Sequence, residues 1–451
     1  MTQELATMQT LTSYDAHTRK ALGSVAITTA EHIPALINES NKAQKQWAAL
    51  SLTERQSLVV KAYQRLEPVQ NQLATLISKE MGKDYRRATY EAGGTIQSAS
   101  YFADEITQAL TSERLVRGTE LQYRPLGIVA VISPWNYPLA MANNLLMPAL
   151  IAGNTVILKP SEETPLVADL FVNTLNQVLP KGVLQLAHGD KQTGQALVAS
   201  NINMVAFTGS MAAGKHIMAN AAPKLKRLVM ELGGNDPMIV MVSADIDAAV
   251  QFAVASSFEN AGQMCTSTER VYVDVRIAAE FERKVVALAR QYQVGAWDKP
   301  NVNIGPIVNP KQHANVLSQL QDATAKGAKF LLGSDDYPQP FIQPTVVTGI
   351  TPDMRLEQDE TFAPVVAISH FEHIDEAISR ANDSPYGLGA VVFGGQGANA
   401  VAQQLEAGMV GVNQGVGGGN APWVGAKQSG FGFHGSAAGH RQFSQIRVIS
   451  K

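Results

Sequence analysis

Between residues 126 and 231, short apolar runs alternate with segments of helical period, and this alternation constrains the fold more than any other feature of the chain. "LGIVAVI" (126–132), "TVILK" (155–159), "VLQLA" (183–187), "MVAF" (204–207) and "RLVME" (227–231) have the length of strands and little of the polar alternation of a half-exposed sheet. Helical patterns lie between them at 138–152, 165–178, 191–200 and 211–221. This succession implies parallel βαβ units, an open α/β sheet with helices on both faces. Ligands of such sheets bind beyond the carboxyl ends of the strands, so the residues just after each run are the ones to search. A second α/β region runs from about 234 to 430, broken by Gly- and Pro-rich connections such as "GVGGGNAPW" (415–423). The first hundred residues read as helical. Ser51 and Glu54 have capping-box spacing, Leu58, Ala62 and Leu66 recur every four residues, and Pro68 breaks or kinks the run. Segments 110–125 and 440–451 read as edge strands outside both units.

At 451 residues, 45% hydrophobic and 17% charged, the chain has the make-up of a soluble enzyme of two or three domains. A net charge of -3, with no basic stripe or acidic tail, gives no reason to expect a nucleic-acid partner. The N-terminal "MTQELATMQT" lacks a basic region followed by an apolar one, and no apolar stretch is long enough to span a bilayer. One cysteine excludes an intrachain disulfide and fits a reducing compartment, so a cytoplasmic protein with no membrane partner is expected. There is no repeat period, no low-complexity block and no metal-ligand spacing.

Several strand ends and turns carry candidate chemistry. Cys265 stands in "ENAGQMCTSTERVYV" (259–273) among small polar neighbours. It is either an inert buried thiol or a nucleophile. "FTGSMAAGKH" (207–216) nearly matches a P-loop, but His216 replaces the magnesium-binding hydroxyl. Its Gly209 and Ser210 make either a plain strand–helix turn or a pyrophosphate site at a helix N-terminus. No G-x-G-x-x-G follows any strand. In "ISPWNYP" (132–138), Asn136 lies between Trp135 and Tyr137, as an Asx-type turn or an oxyanion donor. "LKPSEETP" (158–165) offers Lys159, Ser161 and Glu162 to a ribose or to solvent. Glu231, in "MELGGND" (230–236), is a surface carboxylate or a general base. "LEQDETFAP" (356–364) contributes Glu360 and Phe362.

Taken in order, "PWNYP", "LKPSEETP", "FTGS", "ELGG", "NAGQMC", "ETFAPV", "NDSPYGLGA" and "KQSGFG" resemble the NAD(P)-dependent aldehyde dehydrogenase superfamily from about residue 15 onward. The resemblance implies a Rossmann-type cofactor domain (1–106 and 126–233), an α/β catalytic domain (234–430) and a small β oligomerisation element (107–125 and 431–451). It implies Cys265 as nucleophile, Asn136 as oxyanion donor and Glu231 as the base that activates water. It places Trp135, Lys159, Ser161, Glu162, Gly209, Ser210, Glu360 and Phe362 against the cofactor, and needs no metal. A carboxylate at position 162 favours NAD, with NADP as the alternative. The family also implies a homodimer or homotetramer. Departures from its commonest patterns are Asn235, Ala363, Trp423 and Val424, where Lys, Gly, Phe and Gly are frequent.

For the substrate, Tyr137, Met264 and Trp423 suggest an apolar wall suited to medium-chain or aromatic aldehydes. "CTSTERV" is similar to aromatic aldehyde dehydrogenases, while the short length and "KQSGFG" are similar to succinate-semialdehyde dehydrogenases. The latter often carry an arginine six residues before the nucleophile. Here that residue is Glu259, expected to repel an acidic substrate. Rival readings are a CoA-acylating or acyl-phosphate-reducing relative, which needs no water-activating Glu231, and a non-catalytic protein, which would have no need of Cys265, Asn136 or Glu231.

Overall fold

In a computed structural model that describes residues 9–450, the chain forms two compact units. The first comprises residues up to Glu80, Ala88–Met230 and the segment from His434; the second comprises Met81–Arg87 and Glu231–Phe433. Residues 81–87 and 231–233 thus group with the second unit, whereas the expected boundaries put them with 1–106 and 126–233.

The strands of the first unit lie side by side in the order Arg227–Glu231, Met204–Thr208, Ile128–Ile132, Thr155–Lys159, Leu184–Leu186. Ile128–Ile132 pairs in parallel with both Thr155–Lys159 and Met204–Thr208. The middle strands are buried along their length, which is why they read as unbroken apolar runs. The intervening helices are Pro138–Ile151, Pro165–Leu175, Lys191–Ala199 and Met211–Ala221, within a few residues of their expected bounds. The order of the strands reverses at Ile128–Ile132 and Met204–Thr208, the switch point where an open α/β sheet receives a ligand.

The N-terminal stretch is not wholly helical. Thr10–Tyr14 and Ala21–Ala26 form an antiparallel hairpin. The Asp15 carboxylate accepts the N–H groups of His17 and Thr18 at 3.0 and 2.7 Å, and Arg19 turns the chain at φ 57°. Helical period takes over from Ile33, and Leu52–Gln64 carries the full Ser51–Glu54 capping box before Pro68 enters a short 3-10 turn. Glu113–Arg114, Glu120–Pro125 and Ser444–Ile449 form a separate antiparallel sheet.

The second unit has a seven-stranded sheet in the order Lys329–Leu332, Thr345–Thr348, Val365–Phe371, Thr268–Asp274, Asp236–Val240, Gly389–Phe393, Met409–Val412. All its pairs are parallel except the outermost, Lys329–Leu332 with Thr345–Thr348. Helices Ile246–Phe258 and Val275–Ala289 pack Phe258, Phe281 and Val285 onto it. A fully buried side chain of this size stabilises by roughly 1.5–3 kcal/mol. Among the described residues, no helix is long and apolar enough to cross a membrane, and no group of three His, Cys, Asp or Glu could hold a metal ion.

Candidate active site

In the first unit the chain leaves the switch point through Ser133–Tyr137 on one strand and Gly209–Ser210 on the next. Gly209 is required by packing, since a Cβ there would come within 2.5 Å of the Phe207 ring. Ser210 caps helix Met211–Ala221, its Oγ accepting the Ala213 N–H at 3.3 Å. Residues 211–214 are already helical, so the looped cradle of a P-loop is absent; the helix instead offers a first turn and a positive dipole end suited to a pyrophosphate. Asn136 is buried, with Trp135 and Tyr137 partly buried on either side. Tyr137 gives its helix no side-chain cap. The buried Glu91 does so from a distant helix, accepting the N–H groups of Leu139 and Ala140 at 3.0 and 3.2 Å. Helix Pro165–Leu175 repeats the device, with Glu80 accepting from Leu166 and Val167 at 2.9 Å each. Burial pushes the Glu80 carboxyl up to about 7 against these bonds and that from Ser13.

Lys159 ends its strand buried, its Nζ donating to the Pro160 carbonyl at 2.9 Å and lying 3.8 Å from Glu162. Burial lowers its pKa, opposed by Glu162 and Asp190. Glu162 is about half exposed, and Ser161 Oγ accepts the Glu163 N–H at 3.3 Å.

In the second unit the nucleophile candidate stands after a sharp turn. Asn260, Ala261 and Gly262 take φ of 51°, 58° and 73°, and a Cβ on Gly262 would lie 2.0 Å from the Ala363 carbonyl oxygen. Gln263 is buried and pins the turn, accepting from the Val308 N–H at 3.0 Å and donating to the carbonyls of Asn260 and Pro306. Cys265 is left partly accessible, with Met264 partly buried before it. Its Sγ–H donates to Glu231 Oε1 at 3.4 Å, and the same oxygen accepts the Trp423 indole N–H at 2.9 Å.

The two glycines after Glu231 allow this approach. A Cβ on Gly234 would meet the Cys265 carbonyl oxygen at 2.4 Å, and one on Gly233 would meet the Glu360 carboxylate at 2.5 Å. Glu360 accepts the Gly234 N–H at 3.1 Å; burial pushes its carboxyl up to about 8, that bond opposing and Asp236 adding to the rise. Asp236 is pushed up to about 7 by burial, against bonding from Gly389 and the charge of Arg270. Burial, then Glu231, Asp236 and Glu360, push the Cys265 thiol well above the ordinary range. At rest, Cys265 is therefore a thiol beside a proton acceptor and not a thiolate.

Glu259 is engaged elsewhere. Its carboxylate accepts from Arg87 Nε at 2.8 Å, and Arg87 also pairs with Asp84 at 2.9 Å. Burial disfavours the Arg87 charge, but Glu259 and Asp84 more than offset it and raise its pKa. The bare repelling carboxylate expected at this position is thus an ion-paired one.

Residues passed over in the sequence reading hold these groups in place. The buried Glu269 accepts the N–H groups of Thr361 and Phe362 at 2.6 and 2.8 Å, fixing the loop that carries Glu360 while Phe362 sits at φ 57°. Ser429 of "KQSG" donates to the Gly233 carbonyl at 2.7 Å and accepts the Gly387 N–H at 2.9 Å, tying "ELGG" to "YGLGA". Lys427 Nζ caps the carbonyls of Asn382 and Ser384 in "NDSP". Asn235, noted above as a departure from the family pattern, donates to the Glu357 carbonyl at 3.0 Å. The sequence signal for Glu269 was faint: a glutamate in a strand otherwise buried throughout, which must find donors.

A profile of the aldehyde dehydrogenase family matches residues 3–449. The chain belongs to that family. It is 34% identical, over 98% of its length and 92% of the relative's, to a Sinorhizobium fredii protein named "Probable succinate-semialdehyde dehydrogenase", with NADP(+) as the stated cofactor. Among solved structures it is similar to succinate-semialdehyde dehydrogenase from Burkholderia pseudomallei, at TM-score 0.94 and 33% identity over 98% and 94% of the two chains. It is also similar to an NAD-dependent aldehyde dehydrogenase from Sinorhizobium meliloti, at TM-score 0.94 and 29% identity over 98% and 91%. The enzyme carries out NAD(P)-dependent oxidation of an aldehyde.

Proposed function

We propose that the enzyme oxidises a neutral aldehyde with a hydrocarbon or aromatic body to its carboxylic acid, through a thioester on Cys265 that water hydrolyses. The observation that carries the chemistry is the 3.4 Å contact between Cys265 Sγ and Glu231 Oε1. As sulfur attacks the carbonyl carbon, the S–H proton passes to Glu231 and the carbonyl π pair moves onto oxygen. Asn136 and the Cys265 backbone N–H are assigned as donors to that oxyanion. NAD(P), when bound, supplies the acceptor for the hydride lost from that carbon. Glu231, having released that proton to solvent, then takes one from water as the new C–O bond forms, and passes it to sulfur as the C–S bond breaks, which regenerates the thiol. A carboxylate set beside the thiol favours this hydrolytic outcome over transfer to CoA.

The first-turn N–H groups after Ser210, the pair Lys159 and Glu162, and Glu360 are assigned to the cofactor, with Trp135, Ser161, Gly209 and Phe362 around them. Glu162 favours NAD by accepting from a ribose 2′-hydroxyl. Lys159, 3.8 Å away, tempers repulsion of a 2′-phosphate, so NADP is accepted less well. Support for a neutral substrate comes from the carboxylates that bear on Cys265 and from Arg87, whose charge Glu259 and Asp84 already match. Tyr137, Met264 and Trp423 are assigned to its apolar body. Succinate semialdehyde is the second reading, favoured by the Sinorhizobium fredii and Burkholderia pseudomallei names. The small antiparallel sheet, with exposed Ile446 and Val448, supports a homodimer or homotetramer. A cytoplasmic location completes the reading.

The test compares kcat/KM for hexanal, benzaldehyde and succinate semialdehyde with each cofactor, and analyses products with and without CoA. A clear preference for succinate semialdehyde overturns the substrate assignment. An acyl-CoA product overturns the hydrolytic one.

A further inference from the structure

We propose that Trp423 is a positioning residue for Glu231, through an indole hydrogen bond that a phenyl ring at this place could not make. The inference rests on the reading of Glu231 as the base. Glu231 Oε1 receives two donors, the Cys265 S–H at 3.4 Å and the Trp423 Nε1–H at 2.9 Å. The carboxylate is buried, at 4% exposure, so its orientation is set by the donors around it and not by bulk water. An indole nitrogen is a donor only, so the bond always favours the ionised carboxylate.

The backbone delivers the indole from a segment unlike the rest of the site. Trp423 opens the short strand Trp423–Val424 after a run in which Gly417, Gly418 and Gly419 all take positive φ. Gly417 lies beside the ring, where an added Cβ would fall 3.5 Å from Trp423 Cζ3. A rigid, donor-only side chain therefore reaches the buried base from a strand far along the chain. The consequence is twofold: the indole bond holds Glu231 toward Cys265, and it favours the ionised form of the carboxyl that must act as the base. A base that lost its proton only at higher pH would deacylate the enzyme slowly at neutral pH.

The experiment uses Trp423→Phe, which keeps a flat ring and removes the donor, beside Glu231→Gln and the parent. Rapid mixing with a saturating aldehyde and cofactor gives the NADH burst, which counts folded, acylated sites; steady turnover then gives deacylation. In Trp423→Phe the burst is expected to stay near one equivalent, steady turnover at neutral pH to fall about tenfold, and the rising limb of the kcat–pH profile to move up by about one unit. Trp423→His restores a ring N–H and is expected to recover part of the steady rate. Parent-like turnover and an unmoved pH limb in Trp423→Phe overturn the inference, as does a histidine variant no better than the phenylalanine one. If Glu231→Gln itself turns over at the parent rate, the assignment of the base falls instead. If Glu231→Gln stalls while Trp423→Phe does not, only the role of Trp423 falls.

Discussion

Two helix starts in the first unit do the same job by opposite means. Helix Met211–Ala221 is capped by its own Ser210, three residues from the N–H it satisfies. Helix Pro138–Ile151, which follows Asn136, is capped by Glu91 from another helix. The first cap is local and survives as long as the helix does. The second exists only in the folded unit and couples the turn that bears Asn136 to a distant part of the chain. Glu269 treats the Thr361–Phe362 loop of the second unit in the same way. In each unit, then, a turn or loop bearing a candidate residue is held by a buried glutamate that grips two successive backbone N–H groups. Such a carboxylate is costly to bury and still more costly to leave unmatched, so the grip fixes one conformation.

The comparison can be probed from the chemistry outward. Cys265→Ala should abolish aldehyde oxidation while leaving Tm and nucleotide binding nearly unchanged, because the turn is held by Gln263 and not by the sulfur; residual turnover near the parent rate would end the mechanism. Glu269→Ala should release the loop that carries Glu360 and lower kcat/KM for the nucleotide by about ten- to a hundredfold, mainly through KM, if leaving the Thr361 and Phe362 N–H groups unmatched costs roughly 1–3 kcal/mol. Glu269→Gln, which still accepts one N–H, should fall between; equal loss in both variants would mean a general packing defect. Glu91→Ala should destabilise the protein by about 2–3 kcal/mol, with two buried N–H groups left unmatched, as read by chemical denaturation. Ser210→Ala should cost only about 1 kcal/mol, the ordinary price of a local cap. A Ser210 effect as large as that of Glu91 would erase the distinction.

The same burial predicts a pH trend. Glu80 and Asp236 at about 7 and Glu360 at about 8 hold protons in the folded state that the unfolded chain releases near pH 4. Between those values the folded state binds more protons, so stability falls as pH rises. His440, lowered by burial to about 4, acts in the other direction, and only below its unfolded value near 6.5. Tm of the cofactor-free enzyme should therefore drop between pH 6.5 and 8. Asp236→Asn, which keeps an acceptor for the Gly389 N–H, should flatten that slope; an unchanged slope would remove Asp236 from the account.

What could be read in advance follows the same division. Strands such as Thr155–Lys159 and helix Met211–Ala221 were legible because apolar period is a local property. The Ser51 capping box was legible for the same reason. The hairpin at Thr10–Ala26 was missed because its turn rests on one Asp15 side chain and a left-handed Arg19, a short signal beside long helices. Cys265, Glu231 and Glu360 were singled out through motif order. Glu91, Glu269, Ser429 and the Arg87 partner of Glu259 were not, because each acts on backbone or charge far along the chain.

The lone sulfur has a further consequence. Peroxide attacks a thiolate far faster than a thiol, and burial, with the nearby carboxylates, favours the protonated form of Cys265. An oxidised Cys265 would also find no second cysteine in the 451-residue chain to capture it as an internal disulfide. Sulfenic acid formed there would advance to irreversible sulfinic acid unless an external thiol intervened. The burial and acidic surroundings that raise the Cys265 thiol also shelter from oxidative loss the one sulfur of a cysteine that the chain itself cannot rescue.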